Sequence, residues 1–583
     1  MIRERIRKEI QKIALRQVRQ AHCKQAQGLN FSVERPERVE FGDYSSNIVL
    51  VTAKKMKNPP AGGPLEVAKE MKSNLEKAKI DGVERIEVAD PGFINFYLSD
   101  NVFIENIANI LNAKEKYGSS ETLKSKKIMI EYTDQNPFKE FHIGHLMSNS
   151  IGEALSRIIE FSGAEVKRVN YQGDVGLHIA KSIWNYKHKK KDPNKDFIAA
   201  LVSGKDYAQG NTAYEKDEKA REEINKINKK IYDRSDEEIN AIYDKGRKRS
   251  LEIFERIYER LGTKFDFLFF ESEGGERGKK IVEEGLKKGV FEKSEGAVVF
   301  RGEKVGLHTR VFITSEGLPT YEAKELGLAL IKQEKYPYDF SFVVTGNEIT
   351  EYYKVVLEAL KQLYPDIAQK IKHIPHGMLR LPTGKMSSRK GEVITADSLL
   401  DEVKVLVLKK IQENETIVAE EQETVADKIA VGAVKYSILK QSIGKDIIFD
   451  FETSLSFEGD SGPYLQYTHA RACSVLKKAG LSAQAGEAAI TASIKRVPQK
   501  VTEIEKLLYA FPEVVERANT EYAPSRIATF LIDLARAFNH FYAHERIIDS
   551  GEAAPYRVAL TEAVSITMKN GLRLLGISAP ERM

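Results

Sequence analysis

Two periodicities divide this chain. Ile128, Met129, Ile130 and Tyr132 form a short apolar run, which predicts a strand buried on both faces. Ile151, Ala154, Leu155, Ile158 and Ile159 then recur at steps of three and four, which predicts a helix with one apolar face. Val166 to Tyr171 predicts a second strand. Strand, glycine-bearing turn, helix and strand make the first unit of a nucleotide-binding α/β domain.

The same reading extends outward. Ile2, Ile6, Ile10, Ile13 and Val18 predict a basic amphipathic helix over residues 1–25. Residues 88–99 predict a glycine turn followed by a strand, and the polar stretch Leu111 to Lys127 reads as a linker. From Asp174 to about Leu261 the chain is polar and helical, an insertion of helices or a helical hairpin. Phe265 to Glu273 predicts a strand, and Gly289 to Lys304 a β-hairpin. Pro319 and Thr320 introduce a helix, and Phe340 to Tyr353 is a strand-to-helix turn. From Asp397 onward, apolar spacings of three and four predict a helical bundle, with Leu481 to Lys495 its loosest segment.

A length of 583 residues implies three or four domains, and 42% hydrophobic residues suits a globular chain. No stretch approaches the length of a membrane span. Cys23 and Cys473 are too few for a zinc site or a disulfide framework, which fits a reducing, cytoplasmic setting. The first residues lack the apolar core of a secretory signal, and Glu4 and Glu9 count against a mitochondrial transit peptide. A net charge of +5 argues little for nucleic acid, but residues 1–30 carry eight Lys or Arg against two Glu. Solvated helix faces account for such a cluster equally well.

The candidate chemistry lies in His142-Ile143-Gly144-His145, at the predicted helix start. Gly144 lets a flat ligand lie on the backbone, and imidazoles there can donate to phosphate oxygens. Histidine is scarce, 11 in the chain, so an accidental pairing is improbable. Far downstream stands Gly384-Lys385-Met386-Ser387-Ser388-Arg389-Lys390-Gly391. In this order and at this separation the two motifs resemble the class I aminoacyl-tRNA synthetases. The segment from Glu131 to Leu146 resembles the arginyl members, with Glu131, Asn136, Lys139, His142, Gly144 and His145 on the family pattern. Asn170 to His178, Ser456 to Gly480 and the terminal Leu574 to Met583 resemble the same family. The resemblance covers essentially the whole chain.

It implies an α/β fold: a class I Rossmann-like catalytic domain, a small α+β N-terminal domain and an all-α anticodon-binding bundle. The expected divisions are 1–115 for the N-terminal domain, which contacts the tRNA elbow, and 116–380 for the catalytic domain with its insertion at about 182–262. The loop and connecting helices follow at 381–440, and the bundle at 441–583. It further implies arginine, ATP with Mg²⁺ and tRNA as substrates, no zinc, and a monomer. His142, His145, Lys139 and Lys385 are the expected catalytic residues. His142, Gly144, His145, Lys385, Met386, Ser387, Ser388 and Arg389 are expected to hold ATP. Glu131, Asn136, His145, Tyr321, Glu325 and Glu348 are expected to hold arginine. Tyr321 and Glu325 stand one helical turn apart, and a guanidinium is matched by a carboxylate and a phenol.

Four positions depart from the family. Glu325 stands where the family usually has Asp, and Glu348 where it usually has Gln. Ser388 replaces the second lysine of the downstream loop and Arg389 its final serine, so charge must come from Lys385, Arg389, Lys390 and especially Lys139. For tRNA, the resemblance points to Phe93 and Asn95, which also read as ordinary strand residues, and to Tyr464, Gln466, Tyr467, His469 and Arg471. That last set mixes rings with hydrogen-bonding edges, as unstacked bases require, although Tyr464 and Tyr467 also suit a core. Two other readings stay open: a class I enzyme for another amino acid, and a tRNA-binding relative without chemistry.

Overall fold

Isoleucines at helical spacing fold the start of the chain into α1 (Ile2–Gln20), burying Ile2, Ile6, Ile10 and Ile13. The computed structural model describes residues 2–20, 29–36, 38–55, 63–189, 201, 204–380, 394–414, 418–480 and 500–583. They form two units. One comprises Met1–Asn112, Gly486–Tyr509 and Gly551–Leu560; the other comprises Ala113–Ala485, Ala510–Ser550 and Thr561–Met583.

In the first unit α1 is followed by β1 (Val33–Glu34), β2 (Tyr44–Ser46), α2 (Ile48–Ala53) and α3 (Gly63–Ala78). Then come β3 (Val83–Ala89), β4 (Phe93–Leu98) and α4 (Asp100–Ala113). The strands pair antiparallel in the order β1-β2-β4-β3. The buried Asp43 carboxylate accepts from the Leu98 N–H at 2.9 Å and pairs with Lys506 at 3.2 Å.

The second unit holds a parallel sheet. Its elements begin with β5 (Lys127–Tyr132), α5 (Ile143–Phe161), β6 (Glu165–Gln172) and α6 (Leu177–His188). The polar insertion follows as α7 (Lys205–Lys216), α8 (Glu218–Asp233) and α9 (Glu237–Leu261). β7 (Phe267–Phe270), α10 (Glu271–Lys287), β8 (Glu292–Ser294), β9 (Ala297–Phe300) and β10 (Arg310–Ile313) come next. α11 (Tyr321–Lys335), β11 (Phe340–Gly346), α12 (Thr350–Leu363), β12 (Ile371–His376) and β13 (Leu379–Arg380) complete this part. The main sheet runs β12-β11-β5-β6-β7, all parallel. β5 is buried from Ile128 to Tyr132, as a strand covered on both faces must be. The strand order reverses beside β5, so the carboxyl ends of β5 and β11 open the crevice where such sheets bind ligands.

Helices then dominate: α13 (Ala396–Asn414), α14 (Ala419–Leu439), β14 (Ile447–Ile448) beside β13, α15 (Gly462–Lys478), α16 (Glu503–Glu521), α17 (Ser525–His544) and α18 (Ala554–Leu574). α14 packs against α13, α15 and the crevice helix α5. No helix among the described residues is long and apolar enough to cross a membrane. Leu481 to Lys495, expected to be the loosest segment, lies outside the described residues.

One expectation needs correction. The strand predicted for Phe265 to Glu273 ends at Phe270, and Glu271 opens α10. Glu271 and Glu273 occupy the first turn of that helix, where the backbone dipole favours acids. Glycines at 274, 275, 278 and 285 obscure α10 in the sequence, and two neighbours show their purpose. A Cβ at Gly278 would lie 1.8 Å from the Ala323 carbonyl oxygen, and one at Gly327 would lie 2.0 Å from that of Gly274. α10 and α11 therefore touch backbone to backbone, and this close seam fixes α11 against the sheet. Gly278→Ala should lower the thermal unfolding midpoint. Overpacking by one methyl costs about 1–3 kcal/mol, which outweighs the roughly 1 kcal/mol that alanine gains in a helix. An unchanged or raised midpoint would show that the seam is loose.

Candidate active site

The crevice begins where β5 ends. Thr133, Asp134 and Phe138 all adopt left-handed backbone, with φ of 84°, 49° and 66°. Such conformations cost side-chain-bearing residues about 1–3 kcal/mol each and persist only where the surroundings enforce them. Here the enforcement is visible on both sides of the loop. The Thr133 N–H donates to Ser148 Oγ on α5 at 3.0 Å, and Thr133 Oγ1 accepts from Asn149 Nδ2 at 3.1 Å. On the other side Phe138 is fully buried among the insertion helices, stacked 6.3 Å from Tyr243, and its N–H donates to Ser250 Oγ at 3.0 Å. The loop is thus stapled to α5 and α9, and Lys139 is delivered to the crevice. Burial holds the Lys139 ammonium below the usual lysine range; Glu271 opposes this and Lys181 adds to it.

The two histidines cap α5 reciprocally. His142 Nδ1 accepts from the N–H groups of Gly144 at 3.1 Å and His145 at 3.4 Å, while His145 Nδ1 accepts from the His142 N–H at 3.2 Å. Their rings stack 3.6 Å apart. An imidazole whose Nδ1 accepts must carry its proton on Nε2 when neutral. Burial, with Lys139 nearby, pulls the His142 pKa down to about 4; burial and then His142 hold His145 well below the ordinary histidine value. Both rings are therefore neutral at pH 7 with Nε2–H as the donor. Neutral donors suit a site that already holds Lys139.

Deeper in the crevice, carboxylates outnumber cations. Glu131 is buried and paired with Lys332 Nζ at 2.9 Å, so this expected arginine ligand already has a partner. Asp134 Oδ1 accepts from the Tyr171 N–H at 3.0 Å. Among the described residues neither Asp134 nor Glu325 has an ion-pair partner. Burial and then Glu131 push both carboxyls well above the usual range. Tyr171 faces the same space: its hydroxyl is buried with no hydrogen-bond partner among the described residues, and its acidity is suppressed by burial, Glu271 and Glu325. Glu271 itself is taken by Lys324, 2.6 Å away and also buried.

The remaining expected residues differ in burial. Asn136 lies against Gly173, where a Cβ would come within 2.0 Å of its Oδ1. Tyr321 begins α11 with 58% of its surface exposed, while Glu325, one turn on, is half-buried. Glu348 is exposed, just beyond β11. Lys385, Met386, Ser387, Ser388, Arg389 and Lys390 lie outside the described residues. Sequence reasoning missed Asp134, Tyr171 and Lys332. The only signal for Lys332 was its position two helical turns after Glu325, which puts both on one face of α11.

The residues expected to meet tRNA divide by burial. Asn95 is buried in β4, and Phe93 is half-buried at its start. Gln466 and His469 are buried too. Gln466 Nε2 donates to the carbonyls of Lys428 at 3.2 Å and Ser578 at 2.9 Å, and His469 Nδ1 lies 2.9 Å from the Pro580 oxygen. These two fasten the chain's end rather than face solvent. Tyr464, Tyr467 and Arg471 remain partly exposed. The Arg471 guanidinium lies 4.7 Å from the Tyr467 ring and 4.9 Å from that of Tyr542. All three border a cleft of about 930 Å³ that also contains Lys569 and Arg582.

The neutral imidazoles have a consequence for stability. The His142 pKa is lower in the folded chain than in the unfolded one, so the unfolded chain binds more protons between about pH 6.5 and about pH 4. Stability from this group is full above pH 6.5 and is lost as pH falls through that window. In His142→Asn the side-chain oxygen keeps the helix cap but does not titrate. Its thermal midpoint should match the parent at pH 7.5 and fall less steeply toward pH 4.5. Parallel profiles would mean that His142 is not held neutral by the fold.

Comparisons with known proteins agree with this geometry. The family model described as tRNA synthetases class I (R), catalytic domain, matches residues 106–451. The DALR anticodon binding domain matches 465–583, and the arginyl tRNA synthetase N terminal domain matches 1–98. The arginine–tRNA ligase of Treponema denticola is 34% identical over 569 residues, 95% of each chain. Arginine–tRNA ligase 1 of Bacillus cereus is 33% identical over 557 residues, 94% of this chain and 95% of that one. In fold, the arginyl-tRNA synthetase of Thermus thermophilus superposes with a TM-score of 0.78 at 24% identity over 100% of both chains. That of Plasmodium falciparum gives 0.76 at 18% over 98% of both. With a catalytic model matching more than half its length and relatives above 30% identity across nearly all of it, the chain belongs to the arginyl-tRNA synthetases.

Proposed function

We propose that the crevice at the ends of β5 and β11 carries the family's reaction, the ATP-dependent joining of arginine to its tRNA. One observation supports this above the others. Three buried or half-buried carboxylates, Glu131, Asp134 and Glu325, share a single lysine, Lys332, among the described residues. Arginine brings two positive groups, and a planar guanidinium is best matched by carboxylate oxygens. Glu325 takes the guanidinium, with Tyr321 at the mouth and the Tyr171 hydroxyl beside it. Asn136 and His145 orient the substrate's carboxylate end.

That carboxylate attacks the α-phosphorus of ATP, pyrophosphate leaves, and arginyl-adenylate forms. The terminal ribose hydroxyl of tRNA then attacks the activated carbonyl. Little covalent work falls to the protein, so positioning and charge stabilisation dominate. His142 and His145 donate Nε2–H to phosphate oxygens as charge strengthens there, and Lys139 supplies a positive charge beside them. The segment Lys385 to Lys390, with Arg389, supplies the remaining cations to the leaving pyrophosphate. Mg²⁺ enters with ATP as part of the substrate.

For tRNA, the Tyr467, Arg471 and Tyr542 cleft offers rings to stack on and a cation to hold backbone or base edges. We assign it the anticodon loop, and β4 with Phe93 the tRNA elbow. The four-part division at 115, 380 and 440, a cytoplasmic location and a monomeric state complete the reading. A class I enzyme for a small apolar amino acid would have no use for the carboxylate excess.

Glu325→Gln tests the substrate. Steady-state charging should show a Michaelis constant for arginine raised about a hundredfold or more, since a guanidinium buried without its carboxylate costs roughly 3–5 kcal/mol. The constant for ATP should stay within about twofold, and the preference for arginine over citrulline should narrow. A variant that keeps the parental arginine constant and discrimination would place the specificity pocket elsewhere.

A further inference from the structure

The C-terminal end of α9 holds an arginine with three acidic partners. Arg260 donates from Nε and one terminal nitrogen to Asp427 Oδ1 at 3.0 and 2.8 Å, and from the other to Asp397 Oδ1 at 3.2 Å. Asp401 lies 2.8 Å from the same guanidinium. Asp397 and Asp401 stand one turn apart at the start of α13, and Asp427 belongs to α14. The Arg260 side chain is 17% exposed. One cation thus holds three carboxylates that would otherwise repel one another across two helices. The guanidinium's five donors, spread over a planar fork, reach three such partners on two helices at fixed angles.

The start of α13 is tied in turn to the histidine cap. The Ala396 N–H donates to the Phe141 carbonyl at 2.8 Å, and the Ile143 N–H donates to the Ile394 carbonyl at 3.3 Å. Between them His142 and Thr395 face each other as an antiparallel bridge. Two backbone hydrogen bonds therefore clasp the first residues of α13 to the residues on either side of His142. Only one residue separates Asp397 from Thr395. A shift of α13 has no flexible segment in which to dissipate before it reaches the imidazoles.

We propose that Arg260 is a positioning residue for the adenylation step. By gathering Asp397, Asp401 and Asp427 it sets the start of α13, and through the clasp at Phe141 to Ile143 it aims the Nε2–H donors of His142 and His145. The inference rests on the reading that those imidazoles meet ATP. Arg260 is engaged by Asp397, Asp401 and Asp427 and is not among the residues assigned to ATP or arginine, so its influence belongs in the turnover number rather than in the binding of arginine.

The test is steady-state charging by the full-length enzyme, with thermal unfolding measured in parallel. Arg260→Met should lower kcat at least tenfold while the Michaelis constant for arginine stays within twofold. Arg260→Lys should recover only part of the loss, because an ammonium cannot fork. The double variant Asp397→Asn/Asp401→Asn reaches the same link without stranding carboxylates, so it serves if Arg260→Met fails to fold. It should show the same kcat loss with arginine binding unchanged. His142→Asn in the same assay separates the two readings. If it is slow while the Arg260 and Asp397/Asp401 variants, folded at the assay temperature, turn over at the parental rate, Arg260 is merely structural and the proposal is overturned. If His142→Asn is itself unimpaired, the assignment of the imidazoles to ATP fails and this inference falls with it. A loss of kcat that tracks only a lowered melting midpoint, and vanishes at lower assay temperature, also overturns it.

Discussion

Charge that cannot be neutralised locally governs the crevice. A parallel sheet is covered on both faces, so acids at its carboxyl end are taken out of water whether or not a partner is present. Lys332 satisfies Glu131 and Lys324 satisfies Glu271, both as short buried pairs. Asp134 and Glu325 are left over, and burial beside Glu131 raises their pKa values instead. Such an arrangement lowers the stability of the empty protein. A ligand that brings two positive groups would recover it, and on the proposed reading that ligand is arginine.

The rest of the second unit holds that pocket against Lys139 and the histidine cap. The loop from Thr133 to Phe138 accepts three left-handed residues because α5 grips one end and Phe138 anchors the other in the insertion core. The insertion helices therefore do more than decorate the sheet. α9 supplies the packing for Phe138 and, at its far end, Arg260 for the start of α13. At that same end the Leu261 carbonyl accepts from the buried Lys435, and the Gly262 carbonyl accepts from Arg157 of α5 at 2.8 Å. A cation at a helix C-terminus offsets its dipole, and here Arg157 of the crevice helix supplies it, while burial pulls the Lys435 pKa down to about 7 and its amine serves as a hydrogen-bond donor.

Much of this was legible in the sequence, for physical reasons. The run at Ile128 to Tyr132 and the spacing from Ile151 to Ile159 are strong periodic signals, and β5 and α5 form there. The His142–His145 pair was visible, but the reciprocal cap that fixes its tautomer was not, because it depends on ring orientation. α10 was hidden because its glycines lower helix propensity, and their use against α11 is tertiary. Lys332 was missed because its pairing with Glu131 spans 201 residues, and Asp134 because its bond to the Tyr171 N–H depends on the strands lying side by side. Gln466 and His469 looked like base-reading groups by type, yet both are spent on carbonyls near the chain's end. Side-chain chemistry can be read from a sequence, but whether its hydrogen bonds are already taken cannot.

The most direct measurement of the charge argument is the proton balance of arginine binding. Isothermal titration of arginine into the enzyme at pH 7, in buffers of different ionisation enthalpy, counts protons exchanged. Carboxyls whose pKa is raised in the empty crevice lose protons when a guanidinium and an ammonium settle beside them, so binding should release protons, up to about two. The observed enthalpy should then vary linearly with that of the buffer. An enthalpy independent of buffer, or a net uptake of protons, would show that Asp134 and Glu325 are already ionised without substrate and would contradict the account.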